Sequence, residues 1–291
     1  MSEPAPHHER TAPDAEDETP AAGSEEAAAA VEEPIRSTYE STASEGGDRL
    51  NRSWRTLVST GFLGGVEISL GVLAYLLTVH ETHSHLLGGL AFSIGFMALF
   101  LAHSELFTEG FYYPIVAVFA REGTLLQLIR LWVVTLLTNL LGGWLTMGLV
   151  VLAFPQLHDT LVESSDYFLG IGLSWRGLAL AVLAGAVITL MTRMQAGTDS
   201  PGAAIAASVG GAFILAGAPL FHSVLDSIIL FGAILSGVPG ATYLHWLEWV
   251  WWVIPLNMLG GLLLTTGPRL LRSSKLRPDA EDAARPAARA E

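Results

Sequence analysis

From residue 55 onward the chain alternates long apolar runs with short polar breaks, over 55–80, 86–119, 126–154, 176–195, 202–236 and 247–271. A helix needs about 20 apolar residues to cross roughly 30 Å of hydrocarbon. Four of the runs suit one crossing each. The second and fifth are too long for a straight helix, and both carry polar groups near their middles. In the second these are His103, Ser104, Glu105 and Glu109; in the fifth, His222, Ser223 and Asp226 follow Gly217 and Pro219. Polar groups in lipid are costly and usually face protein or a water-filled path. Irregular backbone at that depth is tolerated only beside a cavity. The pattern predicts an all-α polytopic membrane protein of six transmembrane spans, with the second and fifth helices broken.

The two overlong runs predict a duplication. His103-Ser104 is read against His222-Ser223, and Asn139-Leu-Leu-Gly-Gly143 against Asn257-Met-Leu-Gly-Gly261, with His-to-Asn spacings of 36 and 35 residues. Upstream, Gly65 lies 38 residues before His103 and Gly185 lies 37 before His222. Arg49, Arg52, Arg55, Arg121, Arg130, Arg193, Arg269, Arg272, Lys275 and Arg277 flank alternate loops, which places those loops and both termini in the cytoplasm. Three spans is an odd number, so the two three-helix repeats must be inverted, a design that sets a substrate path between the halves. Paired glycines in the runs let helices approach closely. Trp246, Trp249, Trp251 and Trp252 beside Tyr243 read as an interfacial belt.

The net charge of −13 changes this picture little, because residues 1–50 hold 13 acidic and 3 basic residues and the remainder is near neutral. That acidic segment, poor in aromatic and branched residues, is expected to be a disordered tail. The pore domain is expected over 51–272, with a short polar tail at 273–291. The chain has no cysteine, which excludes disulfides and thiolate chemistry. The first 30 residues lack the apolar core of a cleavable signal peptide. The cell (inner or plasma) membrane is the expected location. The lipid bilayer is the expected surrounding, and no nucleic-acid partner or cofactor is expected.

Phe92-Ser-Ile-Gly95, Glu105-Leu-Phe-Thr-Glu109, Thr138-Asn-Leu-Leu-Gly-Gly143, Phe221-His-Ser223 and Pro255-Leu-Asn-Met-Leu-Gly-Gly261 occur in this order. Together they resemble the formate/nitrite transporter family over roughly residues 50–272. The resemblance implies an aquaporin-like fold, a homopentamer with one pore per protomer, and a small anion as substrate. It implies that Leu106-Phe107-Thr108 is the loop of the broken second helix and His222 the pore histidine, followed by Ser223. It also implies apolar constrictions at Phe92 and Phe96 on the cytoplasmic side and at Leu215 on the other. The chain departs from the best-known members. Phe221 replaces a Glu before the histidine, Asp226 replaces an Asn four residues after it, Gly185 replaces a pore-side Asn, and residues 167–175 lack a vestibule lysine. These mark a divergent branch.

The residues support the same chemistry. An anion entering a dry pore loses hydration, which an imidazole offsets by donating a hydrogen bond or a proton. His222 is therefore the principal expected pore residue, with Thr108 as its partner or an anion donor. No catalytic or metal residue is assigned. Glu67, Glu105, Asp226 and His103 are candidates for tuning the pore. Asp226, one helical turn after His222, either pairs with the imidazole or repels anions. Glu105 is expected to cap loop amides. Asn139 and Asn257 are expected to bond the backbone of the breaks. Two alternatives stand beside the weak-acid anion channel. One is a pore for ammonia or another neutral or cationic solute, which Glu67 and Asp226 suit. The other is a membrane metalloenzyme using His222, Asp226, His103 and Glu105.

Overall fold

The computed structural model describes residues 20–273 and contains helices and turns throughout that range. The helices are α1 (Pro20–Asn51), α2 (Trp54–Thr82), α3 (His85–Leu101), α4 (Tyr113–Ala120), α5 (Leu125–Ala153) and α6 (His158–Ile171). They continue as α7 (Trp175–Ala196), α8 (Pro201–Gly217), α9 (Leu225–Leu235), α10 (Tyr243–Leu259) and α11 (Gly267–Ser273). Gly260–Thr266 is wound as a π-helix that joins α10 to α11.

Among the described residues, four helices have the length and hydropathy of membrane spans: Trp54–Thr82, Leu125–Ala153, Trp175–Ala196 and Tyr243–Leu271. The two overlong runs are broken, as their polar interiors predict. The first becomes α3 and α4, separated by a loop and a 3₁₀ turn at Phe107–Phe111. The second becomes α8 and α9, separated by residues 218–224. At 17 residues each, α3 and α8 rise about 26 Å, short of a full crossing. They pack on each other, with α2 against α3 and α5, and α7 against α8 and α10.

Close approach of backbones makes this possible. A Cβ on Gly65 would overlap the carbonyl of Asn139, and one on Gly185 would overlap that of Asn257. Glycine at these two sites lets α5 and α10 come near enough for their asparagines to reach the breaks.

Two expectations fail. The segment expected to be disordered through residue 50 is helical over Pro20–Asn51. Tyr39, Ala43, Gly46 and Leu50 recur at helical spacing. Ala43 packs with Tyr112 and Val116, and Leu50 with Leu57, Ala117, Leu128 and Leu131. Averaging composition over fifty residues hid this short stripe. The acidic residues before 20 and the tail after 273 lie outside the described residues. The stretch between spans three and four, read as a loop, contains α6, whose Leu161 and Phe168 are buried together with Leu157 just before it.

Candidate functional site

The two breaks are held by the same device. In the first, Asn139 of α5 donates from Nδ2 to the Gly61 and Glu105 carbonyls at 2.7 and 2.8 Å. Its Oδ1 accepts the Phe107 N–H at 2.9 Å. In the second, Asn257 of α10 donates to the Ala181 and Phe221 carbonyls, each at 2.8 Å, and accepts the Ser223 N–H at 2.8 Å. Both asparagines are fully buried. Each thus satisfies backbone groups that a broken helix leaves unpaired, in surroundings where an unpaired group costs several kcal/mol.

The matched bonds also correct the register between the two breaks. Asn139 brackets Leu106, between the Glu105 carbonyl and the Phe107 N–H. Asn257 brackets His222, between the Phe221 carbonyl and the Ser223 N–H. The counterpart of His222 is therefore Leu106, not His103. His103 is exposed, sits in a left-handed turn with φ of 55°, and lines a separate cavity of about 320 Å³ with Arg49 and Glu109.

His222 and Thr108 meet where the breaks face each other. Thr108 Oγ1 lies 3.0 Å from His222 Nε2, and both residues are fully buried. The Leu225 N–H donates to His222 Nδ1 at 3.1 Å, so Nδ1 is an acceptor and the neutral ring carries its hydrogen on Nε2. That hydrogen is directed at Thr108, whose own hydroxyl hydrogen remains free to donate elsewhere. Ser223 Oγ is buried without a protein partner. Asp226 does not pair with the imidazole, both of whose nitrogens are occupied. Its Oδ2 accepts the His222 backbone N–H at 2.7 Å and so closes the first turn of α9.

The apolar candidates lie in the core that surrounds these breaks. Phe92 and Phe96 are buried and meet edge to face, with centroids 4.9 Å apart. Phe107 packs on Phe111 at 5.2 Å, and Leu215 is buried in the same cluster. Phe221 fills an aromatic nest of Tyr167, Phe168, Trp249 and Trp252.

Glu105 is not a cap on loop amides. Its carboxylate pairs with Arg52 and lies 3.5 Å from Arg49, which also reaches Glu45 at 2.9 Å and Glu109 at 3.8 Å. Burial works against the charge on Arg49, but Glu105, Glu109 and Glu45 outweigh it and hold the guanidinium above its ordinary pKa. The same arginine lies over the Tyr113 ring at 4.4 Å. Glu67 Oε1 accepts the Ser104 hydroxyl at 2.8 Å, while Oε2 is buried without a protein partner. Three of the four residues of the metalloenzyme alternative are committed to separate partners, Glu105 to arginines, His222 to Thr108 and Leu225, and Asp226 to the His222 N–H, while His103 lines a different cavity.

Sequence reasoning missed Arg176. It stands at the start of α7, over the Tyr167 ring at 5.7 Å, and Tyr167 donates its hydroxyl to the Pro219 carbonyl in the second break at 3.1 Å. The tally of loop cations passed over it because it lies just inside an apolar run.

Two broken helices of a membrane fold thus meet at a buried His–Thr pair. The formate/nitrite transporter family model matches residues 36–271, and the chain belongs to that family. It is 26% identical over 242 residues to inner membrane protein YfdC of Escherichia coli (strain K12), covering 78% of this chain and 74% of that protein. It is 27% identical over 158 residues to the formate channel BtFdhC of Bacillus thuringiensis, covering 47% of this chain and 60% of that one. Among solved structures, an FNT family ion channel superposes with TM-score 0.67 at 17% identity, covering 81% of this chain and 99% of that one. A pentameric formate channel with formate bound superposes with TM-score 0.64 at 18% identity, covering 76% and 97%.

Proposed function

We propose that the chain is a channel for small monovalent weak-acid anions, formate and nitrite being the reference substrates. The observation that carries this reading is the buried hydrogen bond between Thr108 and His222 at the meeting of the breaks. An anion stripped of water needs donors, and this site offers them without a fixed charge that would trap it. The Thr108 hydroxyl hydrogen and the unpartnered Ser223 hydroxyl are two such donors, and the imidazole Nε2–H becomes a third when it turns from Thr108 to the anion. Apolar rings at Phe92, Phe96, Phe107 and Leu215 favour passage of the neutral acid over the bare ion. The name of one relative, a formate channel, supports a pore rather than an enzyme.

In this reading α3 with α4, and α8 with α9, are spans two and five. Six spans then form two inverted halves, assembled as a homopentamer with α1 and both termini in the cytoplasm. Because the chain has no cysteine, single introduced cysteines report topology cleanly. A cysteine at Arg121 is expected to react with an impermeant maleimide only from the cytoplasmic face, and one at Gly240 only from the other. The reverse pattern would invert the orientation.

Liposomes carrying the purified protein test the substrate. Formate or nitrite uptake is expected to exceed that of empty vesicles and to rise as pH falls, because the permeant neutral acid becomes more abundant. Glu67, with its buried unpartnered Oε2, favours the second reading, a pore for ammonia. Ammonium-dependent flux without anion flux would establish that reading and overturn the first.

A further inference from the structure

The end of the bundle away from α1 gathers titratable groups that the Thr108–His222 pair does not use. His85, the first residue of α3, has Nδ1 2.9 Å from the Tyr75 hydroxyl and Nε2 3.9 Å from Glu163. The Glu163 side chain is 67% exposed, that of His85 40%, and Tyr75 only 4%. The three form a chain from solvent to interior. The Tyr75 ring is fixed, because it stacks on His85 at 6.3 Å and lies so close to Gly88 that a Cβ there would come within 2.9 Å of it.

This chain stands beside the break that carries His222. A Cβ on Gly217, the last residue of α8, would lie 3.5 Å from the His85 carbonyl. On the other flank, Tyr167 bonds Pro219 and meets Phe221 edge-on at 5.9 Å. The charged and titratable groups around His85 come from four helices. From α2 and its turn come Tyr75, His80, Glu81 and His83; from α6, Glu163 and Tyr167. Arg176 of α7 lies over the Tyr167 ring, and α9 contributes Asp226, whose carboxyl accepts the His222 N–H. Helix α8 contributes no titratable residue.

Hydrogen-bond rules give His85 two states. When the ring is neutral, the Tyr75 O–H donates to Nδ1 and the ring hydrogen on Nε2 faces Glu163. When the ring is protonated, Nδ1–H becomes a donor, the Tyr75 oxygen must accept, and the hydroxyl hydrogen is released. The added proton also completes an ion pair with Glu163. We propose that Glu163–His85–Tyr75 is a proton-operated donor at the outer mouth. Protonation of His85 from the adjoining solvent reverses the Tyr75 hydrogen bond and turns its hydroxyl toward an arriving weak-acid anion. The proton returns to solvent when the pH rises. The proposal rests on the anion-channel reading above.

The test is formate uptake by liposomes carrying the full chain, with outer pH stepped from 8 to 6. Two variants serve: His85→Gln keeps a polar partner for Tyr75 but cannot titrate, and Tyr75→Phe keeps the ring and removes the hydroxyl. Dividing wild-type flux by variant flux cancels the titration of formate itself. Each ratio is expected to rise about tenfold across this range, because the proposed donor forms only when the His85 ring is protonated. Ratios that stay constant overturn the proposal and leave the channel reading intact. If His85→Gln fails to reconstitute, Tyr75→Phe decides. No uptake of formate, nitrite or acetate by the wild type at any pH overturns the channel reading and the proposal together.

Discussion

Liposomes carrying His222→Leu are expected to take up formate about 10 to 100 times more slowly than wild type, at every pH. The estimate follows from losing a buried hydrogen bond to a charged species, about 1.5–3 kcal/mol, with each 1.4 kcal/mol worth a factor of ten in rate. Leucine matches the core around it but removes the Nε2–H and leaves Thr108 Oγ1 without its 3.0 Å partner. It also strands the Leu225 N–H, which now donates to Nδ1. His222→Asn is the informative companion, since its amide still offers an N–H toward Thr108 and should keep more flux than leucine. If leucine matches the wild type, the buried pair is packing and the proposed conduction mechanism is wrong.

Asn257→Ala should act on the fold before it acts on transport. Alanine removes three hydrogen bonds at once and abandons the Ala181 carbonyl, the Phe221 carbonyl and the Ser223 N–H in a buried site. Unsatisfied buried groups cost about 1–3 kcal/mol each in water-soluble proteins, and membrane interiors recover part of that, so roughly 2–5 kcal/mol is expected. Thermal unfolding in detergent should then shift down by roughly 5–15 °C. Asn257→Asp separates the parts, because its carboxylate still accepts from Ser223 but turns negative oxygen on two carbonyls. A shift under about 2 °C for alanine would show that the break holds itself open without α10.

Much of this architecture is legible in the chain. Run length and misplaced polar residues locate both breaks, and the paired Asn-x-x-Gly-Gly motifs locate the residues that brace them. What escapes is register and context. His103 and His222 look equivalent by spacing, yet α2 runs farther past Gly65 than α7 runs past Gly185, so Leu106, as far beyond the end of α3 as His222 is beyond α8, takes the matching place. The helical stripe Tyr39, Ala43, Gly46, Leu50 is diluted by acidic and alanine-rich sequence around it, and its value depends on α4, which lies far ahead in the chain. Glu105 reads as a cap because caps are local, whereas its partners are distant in the chain: Arg49, from a segment expected to be unstructured, and Arg52, at the head of the first span. Arg176 is hidden by the apolar run that follows it, and only its stacking on Tyr167 shows where it stands.

The clamp of α1 on the first break also has a history during synthesis. Arg52 emerges from the ribosome 53 residues before Glu105, the acid it finally holds. Through that interval α2 and α3 are being inserted before Glu105, the carboxylate both arginines meet in the finished fold, has been made. In the proposed orientation, the cations at the head of the first span are what keep that end in the cytosol. The same side chains act first as an orientation signal and then, once the break arrives, as its anchor. Reversing their charge would therefore be felt in the direction of insertion before it was felt in the finished pore.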